Sequence, residues 1–179
     1  MIIKEVKKLR EKVTKDWSFV KPPRSTKECA TELIDAMLSH SVLGISANQL
    51  VYSYRVFAMR GETKKESIVC FNPEIKDFSP EMNTMEEGCL SLPDVFAKVV
   101  RPAHVAISYL DEDGKEEGQL ASGMTARVFQ HELDHLDGIL FVDRLSKLSR
   151  ERAFEKARKI KKFRARGKEK YQRETRFAL

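Results

Sequence analysis

The sequence has little of what marks secreted or membrane proteins. Its 179 residues include only three cysteines, an odd number without the spacing of a disulfide framework. Free thiols in a reducing, cytoplasmic setting are therefore expected. No apolar run approaches the length of a membrane span, and the lysine-rich start lacks the apolar stretch of a signal peptide. We expect a cytoplasmic protein with no membrane partner, and we expect it to act as a monomer.

Positive charge is in excess only at the end of the chain, and the remainder carries more acidic than basic residues. Fifteen Lys/Arg and four Asp/Glu lie from Arg144 onward, so a net charge of +6 combines an acidic body with a strongly basic tail. This predicts a domain over residues 1–146 and a basic extension over residues 147–179. Such a tail suits attraction to RNA phosphate, and the alternative is a solvated helix whose charge only keeps the chain soluble.

Local patterns predict three helices. Ser25 and Glu28 form a capping box before apolar residues at helical spacing, which predicts a helix over residues 26–40. A second helix follows Ser122-Gly123, and Gly138 is placed to end it. From about Ser146 a long basic helix is predicted, with an apolar stripe of Ala153, Ala157 and Ile160.

Strand-like segments lie between the first two helices. They are predicted at residues 54–59, 67–71 and 105–110, and the last of these ends at Asp113-Gly114, a signal for a hairpin turn. The expected fold class is therefore α+β. Mixed or antiparallel sheets would pack around the second helix, with the capped helix before them and the basic helix after them.

The second helix carries a two-histidine motif, His131-Glu132-Leu133-Asp134-His135. Histidines four residues apart on a helix share one face and can hold one metal ion. The glutamate between them can handle the proton of a metal-bound water. The alternative is a charged helix whose histidines merely face solvent.

A third metal ligand is expected, because a catalytic site of this kind usually takes three protein ligands. No histidine follows His135, and the nearest glutamates downstream belong to the basic tail. Upstream stands Glu87-Gly88-Cys89-Leu90-Ser91, where a thiolate would be a strong ligand.

These residues resemble the motifs of the peptide deformylases. That family carries a glycine-rich loop ending in glutamine, then EGCLS, then HExDH. The second and third motifs are complete at residues 87–91 and 131–135, and the first is present in altered form at residues 42–49. The resemblance covers residues 25–146 and implies removal of the formyl group from the N-terminal formyl-methionine of newly made polypeptides.

The resemblance also implies a set of roles. Cys89, His131 and His135 would bind one divalent ion, Fe2+ in the cell, which Ni2+, Co2+ or Zn2+ can replace. Glu132 would accept the proton of the attacking water and pass it to the departing amine. The side-chain amide of Gln49 and the backbone N–H of Leu90 would stabilise the oxyanion. In bacterial relatives the C-terminal helix often docks on the ribosome, which makes ribosomal RNA a second expected partner.

Substrate binding is expected from residues near the motifs. Gly44 would let a peptide backbone approach, and Ile45 would exchange strand-like hydrogen bonds with it. Glu87 is counted with the substrate-binding residues and is also expected, with Gln130 and Asp134, to orient the metal ligands. The candidates for the methionine pocket are Ile45, Met85, Met124 and Val128. For these four, ordinary core packing is the alternative.

The chain departs from the family pattern at several positions. Val42 stands where glycine is usual, and Ser46 and Asn48 where alanine and proline are frequent. Phe96 replaces an arginine that contacts substrate in many relatives, and Arg127 an aliphatic residue at the pocket rim. These two changes predict an altered preference at the second and third substrate residues.

Two other functions remain open from the residues alone. One is a metallopeptidase that cleaves internal peptide bonds, against which the complete second motif and the absence of a downstream ligand count. The other is an RNA- or ribosome-binding protein with a structural metal, which would need a fourth protein ligand that the sequence does not offer.

Overall fold

A computed structural model describes residues 6–50, 52–61 and 66–176. In this part of the chain the α-helices are α1 (Thr26–Ser39), α2 (Gly123–Leu136) and α3 (Lys147–Arg176). The strands are β1 (Gly44–Ser46), β2 (Val56–Arg60), β3 (Ser67–Phe78), β4 (Met82–Cys89), β5 (Leu92–Pro102), β6 (His104–Leu110) and β7 (Glu116–Ser122). Short 3-10 turns lie at Lys8–Arg10, Ala47–Leu50 and Phe141–Arg144.

The strands form two antiparallel sheets. The larger has the order β1-β2-β3-β6-β7, and the smaller is the β4-β5 hairpin. Strands β6 and β7 pair in the hairpin that the turn at Asp113-Gly114 predicts. The predicted α+β class, with antiparallel sheets around the histidine helix, is confirmed.

The first helix begins as its capping box predicts. The side chain of Ser25 accepts a hydrogen bond from the backbone N–H of Glu28 at 3.3 Å. One face then buries Leu33 and Met37 completely, in a cluster with β2 and β3. Helix α1 therefore covers one part of the larger sheet and leaves another part free for α2.

The second helix is held by its apolar face. Phe129 is fully buried and its ring meets the edge of Phe57 from β2, with centroids 5.1 Å apart. Gly138 has φ of +75° just after the helix, a left-handed conformation that glycine adopts without strain. The predicted end of the helix is confirmed, and the polar face between these points is turned toward the β4-β5 hairpin.

Strands β4 and β5 are absent from the sequence prediction, and β3 is longer than predicted. The predicted strand ends at Phe71, just before Asn72-Pro73 and a mixed polar stretch. In the structure the strand continues to Phe78 by pairing with β6. In β4 and β5, charged side chains occupy positions on the buried face, so the alternation of apolar and polar residues is obscured.

The basic helix is partly anchored to the body. Ala153 and Ala157 are buried in an apolar cluster with Val95 and Val99 of β5. Further along, Arg164 donates to Asp94 at 2.6 Å. The predicted boundary at residue 147 coincides with the start of α3, but its first turns belong to the packed core. None of the described helices combines the length and apolarity needed to cross a membrane.

Candidate metal centre and active site

Three potential metal ligands come together between the hairpin and α2. Cys89 lies at the end of β4, and His131 and His135 lie one turn apart on α2. Their Sγ and ring nitrogen atoms are all within 4.8 Å of one another, and Cys89 Sγ is 3.2 Å from His135 Nε2. A thiolate with two imidazoles suits a divalent transition metal such as iron, cobalt, nickel or zinc. The predicted ligand set therefore fits the ion that the sequence implies.

A buried carboxylate orients the first histidine. His131 Nδ1 donates to Glu87 Oε2 at 2.9 Å, which leaves Nε2 free for a metal. Burial opposes ionisation of Glu87, but hydrogen bonds from His131 and Arg101 outweigh it and hold the pKa of Glu87 well below its usual range. Burial likewise opposes protonation of His131, but hydrogen bonding to Cys89 and Glu87 raises the pKa of His131 to about 10. A metal at Nε2 of His131 would take the place of a proton there, and the ionised Glu87 would still accept from Nδ1.

The second histidine is held through its backbone. Asn48 Nδ2 donates to the carbonyl oxygen of His135 at 2.7 Å, so the 3-10 turn after β1 is tied to the C-terminal end of α2. The His135 ring is 1 % exposed, and burial keeps its pKa well below the ordinary value. Its imidazole is therefore neutral, the form in which histidine binds a metal. Asn48 is one of the departures from the family pattern, and this contact gives it a structural role.

Glu87 and Asp134 share a buried arginine. Arg101 donates to Glu87 from Nε at 2.7 Å and from Nη2 at 3.0 Å, and to Asp134 from Nη1 at 2.6 Å. Its side chain is only 3 % exposed. Arg144 also pairs with Asp134, and its Nε donates to the same Oδ2 at 3.0 Å. Asp134 is therefore a buried partner in an ion network and does not face solvent.

Arg127 belongs to the same network. Its Nη1 donates to Glu87 at 2.8 Å and to the carbonyl of Val99 at 3.0 Å, and its Nη2 bonds Asn83. The residue is 4 % exposed, although it contributes to the cavity wall. Its guanidinium thus hydrogen-bonds to residues of β4 and β5. The structure therefore gives Arg127 a role in holding Glu87 in place.

Glu132 is buried beside the cavity with one oxygen unpaired. Among the described residues no group hydrogen-bonds its Oε2, and burial raises the pKa of Glu132 to about 7. The carboxylate lies against Gly44, where an added Cβ would be 2.6 Å from Oε1 and 2.8 Å from Val128. Any side chain at Gly44 would therefore displace Glu132. A carboxylate with this pKa can both accept and return a proton near neutral pH.

Gln49 connects the first and second motifs. Its Nε2 donates to Ser91 Oγ at 3.1 Å and lies 3.5 Å from Cys89 Sγ, while its Oε1 accepts from the N–H and hydroxyl of Ser46. The amide nitrogen therefore faces the metal ligands and the cavity. That direction suits a donor to a developing oxyanion.

A cavity of about 430 Å³ opens onto these groups. Nine of the twelve predicted site residues line it: Gly44, Gln49, Glu87, Cys89, Leu90, Met124, Val128, His131 and Glu132. His135 does not line the cavity, but its Nε2 lies next to Cys89 Sγ in the group of three potential ligands. The remaining two are not brought to the cavity, since Ile45 is fully buried beneath α1 and Met85 is half-buried on β4.

The mouth of the cavity is apolar and partly exposed. Phe96 is 51 % exposed and its ring lies against Gly88, and Leu43 and Met124, 46 % and 53 % exposed, also line the cavity. The backbone before this mouth has its left-handed residue at Ser41, with φ of +55°. Val42 is not among the residues with positive φ, so the missing glycine there is no obstacle to the loop.

Sequence reasoning missed Arg101 and the function of Ser46. Arg101 falls on the buried face of β5, where a charged residue among valines signals a buried ion pair, but β5 itself was not predicted. Ser46 was noted only as a departure from the family. Its contact with Gln49 depends on the 3-10 turn that follows β1 and has no local sequence signal.

Comparison with known proteins agrees with this geometry. The family model described as polypeptide deformylase matches residues 2–151. A peptide deformylase of Rhodopseudomonas palustris (strain BisB5) is 42 % identical over 167 residues, which is 89 % of this chain and 94 % of the relative. The structure is also similar to two solved deformylases.

One of these is the Met-Ala-Ser-bound class I type b peptide deformylase of Acinetobacter baumannii, with a TM-score of 0.75 and 32 % identity over 81 % of this chain and 97 % of the other. The second is the peptide deformylase of Plasmodium falciparum, with a TM-score of 0.79 and 28 % identity over 92 % and 98 % of the two chains. The matches set aside the internal-bond peptidase and the non-catalytic RNA-binding protein as alternatives. The chain belongs to the polypeptide deformylase family of metal-dependent hydrolases, and it removes the N-formyl group from nascent polypeptides.

Proposed function

We propose that Cys89, His131 and His135 hold one divalent ion, Fe2+ in the cell, and that Glu132 transfers the proton during deformylation. When bound, such an ion makes water acidic enough to serve as a nucleophile near neutral pH. The observation that carries the proposal is the grouping of the three ligand atoms within 4.8 Å, beside a buried carboxylate with an unpaired oxygen.

Each neighbouring residue has a part in this reaction. Glu132 accepts the proton of the attacking water at its unpaired Oε2 and gives it to the α-amine that leaves with the peptide. The amide nitrogen of Gln49 and the backbone N–H of Leu90 donate to the formyl oxygen as negative charge develops on it. Glu87 keeps His131 in the tautomer that presents Nε2, supported by the 2.9 Å hydrogen bond at Nδ1.

The peptide lies along β1. Gly44 leaves room for its backbone, and the backbone of Ile45 pairs with it as an added strand, while the Ile45 side chain stays in the core. The methionine side chain contacts Met124 and Val128 in the cavity. Met85 would then contribute only indirectly, through its position on β4.

Formate release from formyl-Met-Ala-Ser tests the residue roles. Anaerobically prepared protein should release formate, and Glu132→Gln should lower kcat by at least about a hundredfold, the usual scale of general acid–base catalysis. Glu151→Gln, on the exposed side of α3, is the matched control and should match the unchanged chain. Equal activity of the two variants would contradict the role of Glu132.

Iron is distinguished from the other ions by its sensitivity to oxygen. Protein purified anaerobically should contain iron by elemental analysis and lose activity in air, while protein reloaded with Ni2+ should keep its activity. Zinc in the anaerobic protein, with activity stable in air, would contradict the assignment of Fe2+.

The basic helix is proposed to contact ribosomal RNA. Ala153 and Ala157 hold one side of α3 on the body, and Lys156, Lys161 and Lys162 are exposed. Attraction of such charges to phosphate gives binding that weakens steeply with salt. Residues 147–179 would thus serve as an extension of the catalytic domain over residues 1–146, and the protein would act as a monomer in the cytoplasm.

Substitution tests this contact better than truncation, because removing α3 would uncover the apolar cluster around Ala153. Replacing Lys156, Lys161 and Lys162 by glutamine should weaken ribosome co-sedimentation and reduce its salt dependence, with unchanged activity on short peptides. Glutamines at three exposed lysines of the body are the matched control: Lys21, Lys27 and Lys115. Equal binding by both variants would refute the proposal.

Phe96 is proposed to alter preference beyond the methionine. Its exposed ring forms an apolar mouth with Leu43 and Met124, which favours apolar side chains at the second and third substrate residues. The test compares kcat/KM on formyl-Met peptides that differ only at these two residues. Phe96→Arg should raise kcat/KM for peptides with acidic side chains there, relative to peptides with apolar ones. An unchanged profile would remove Phe96 from the specificity determinants.

A further inference from the structure

Ser46 makes an unusual pair of contacts with the oxyanion amide. It is the last residue of β1 and is completely buried. Its backbone N–H lies 3.0 Å from Gln49 Oε1, and its hydroxyl lies 3.1 Å from the same oxygen. One residue therefore supplies donors to both lone pairs of a single carbonyl oxygen.

These contacts fix which end of the Gln49 amide faces the cavity. A backbone N–H can only donate, so the atom that it meets must be the amide oxygen. A flipped amide would place its NH2 group against the Ser46 N–H and leave a buried donor without an acceptor. The backbone contact selects the orientation, and the hydroxyl adds a second restraint against rotation.

The other end of the amide shows what this restraint achieves. Gln49 Nε2 lies 3.1 Å from Ser91 Oγ and 3.5 Å from Cys89 Sγ. Both groups belong to the second motif, and Gln49 and Cys89 line the cavity. A donor to a transition state is effective only if it is held within about 0.5 Å of its place before the reaction begins.

We propose that Ser46 is a positioning residue for deformylation: its hydroxyl holds the Gln49 amide oxygen so that the amide nitrogen stays directed at the reacting carbonyl. This inference rests on the proposed role of Gln49 in oxyanion stabilisation. It predicts that Ser46 acts on the transition state through Gln49, and that it does not act on substrate binding.

A double-mutant cycle separates this role from simple packing. On formyl-Met-Ala-Ser, Ser46→Ala should lower kcat about fivefold, the effect of losing one neutral hydrogen bond, and should leave KM within about twofold. In a Gln49→Ala background the same substitution should change kcat less than about twofold. An equal loss in both backgrounds, or a change confined to KM, would overturn the proposal.

A second variant keeps the test informative if Ser46→Ala does not fold. Ser46→Cys has a similar volume but a weaker donor, so it should give a loss of kcat smaller than that of Ser46→Ala and likewise dependent on Gln49. A full loss in both Gln49 backgrounds would count against positioning.

Nuclear magnetic resonance tests the restraint without reference to activity. In Zn2+-loaded, 15N-labelled protein, the side-chain NH2 signals of Gln49 are identified by their absence in Gln49→Ala. Ser46→Ala should lower the order parameter of this group, while Ser108→Ala, which removes a remote exposed hydroxyl, should leave it unchanged. Unchanged Gln49 signals in Ser46→Ala would refute positioning. Failure of the unchanged chain to release formate would instead refute the proposed residue roles, and the two failures are therefore distinguishable.

Discussion

Replacing Arg101 by methionine tests whether the ion network under the metal site determines stability. The guanidinium makes three hydrogen bonds of 2.6–3.0 Å to Glu87 and Asp134, and its side chain is 3 % exposed. Methionine fills much of the same volume but leaves two buried carboxylates with fewer partners. Removing one member of a buried ion pair costs about 3–5 kcal/mol, because the remaining charge stays desolvated.

The measurement is urea unfolding of protein loaded with Zn2+ at a fixed free concentration, since bound metal contributes to stability. The free energy of unfolding falls by about 2.5 kcal/mol per molar urea, so this loss of stability should lower the urea midpoint by about 1–2 M. In thermal unfolding, Tm should fall by about 6–20 °C.

Arg144→Met is the matched control, because it removes the other arginine from Asp134. Its side chain is 44 % exposed, so the expected cost is only about 0–1 kcal/mol. Equal destabilisation by Arg101→Met and Arg144→Met would refute the argument that burial sets the magnitude.

Three further outcomes follow from other contacts. Cys89→Ser should lose bound metal by elemental analysis while far-ultraviolet circular dichroism stays unchanged; full metal content would contradict its role as a ligand. Burial opposes ionisation of Asp143, but the Arg10 hydrogen bond lowers its pKa, so this pair stabilises the fold above about pH 4 and the contribution is lost as pH falls. The urea midpoint of Asp143→Asn should therefore fall less steeply in acid than that of the unchanged chain, and equal slopes would contradict this. Asn72→Gly should lower the free energy of unfolding by about 2 kcal/mol, because the Asn72 amide both accepts from and donates to the Trp17 backbone. Unfolding can be followed by the fluorescence of Trp17, the single tryptophan, and a loss below about 0.5 kcal/mol would contradict the importance of these two hydrogen bonds.

The sequence was most informative where chemistry and local geometry coincide. The capping box at Ser25 and the stop at Gly138 are local devices, and both are confirmed by the structure. The two histidines could be proposed as ligands because residues one turn apart share a helix face by geometry alone. Cys89 was a candidate from the chemistry of its thiolate, and the family resemblance then implied it as the third ligand.

Long-range contacts account for what the sequence could not provide. The role of Arg127 in the network depends on Glu87, 40 positions away, and no local pattern reports such a partner. The side chain of Ile45 lies in the core because β1 pairs with β2, which sets Ile45 opposite Ala58, and the residues of the loop itself do not report this pairing. The β4-β5 hairpin was missed for a related reason, since its buried charges are stabilised by pairing with each other and with distant residues of α2.

The proposed metal ligands would also have a mechanical consequence. Cys89 and His135 lie 46 positions apart in the chain, one on the hairpin and one on α2. An ion held by both would tie these two elements together, and because the unfolded chain lacks the assembled site, the free energy of metal binding would add to the stability of the folded state. Removing the ion with a chelator would therefore loosen the attachment of the hairpin to the helix. The protein would become easier to unfold at the same moment that it stops releasing formate.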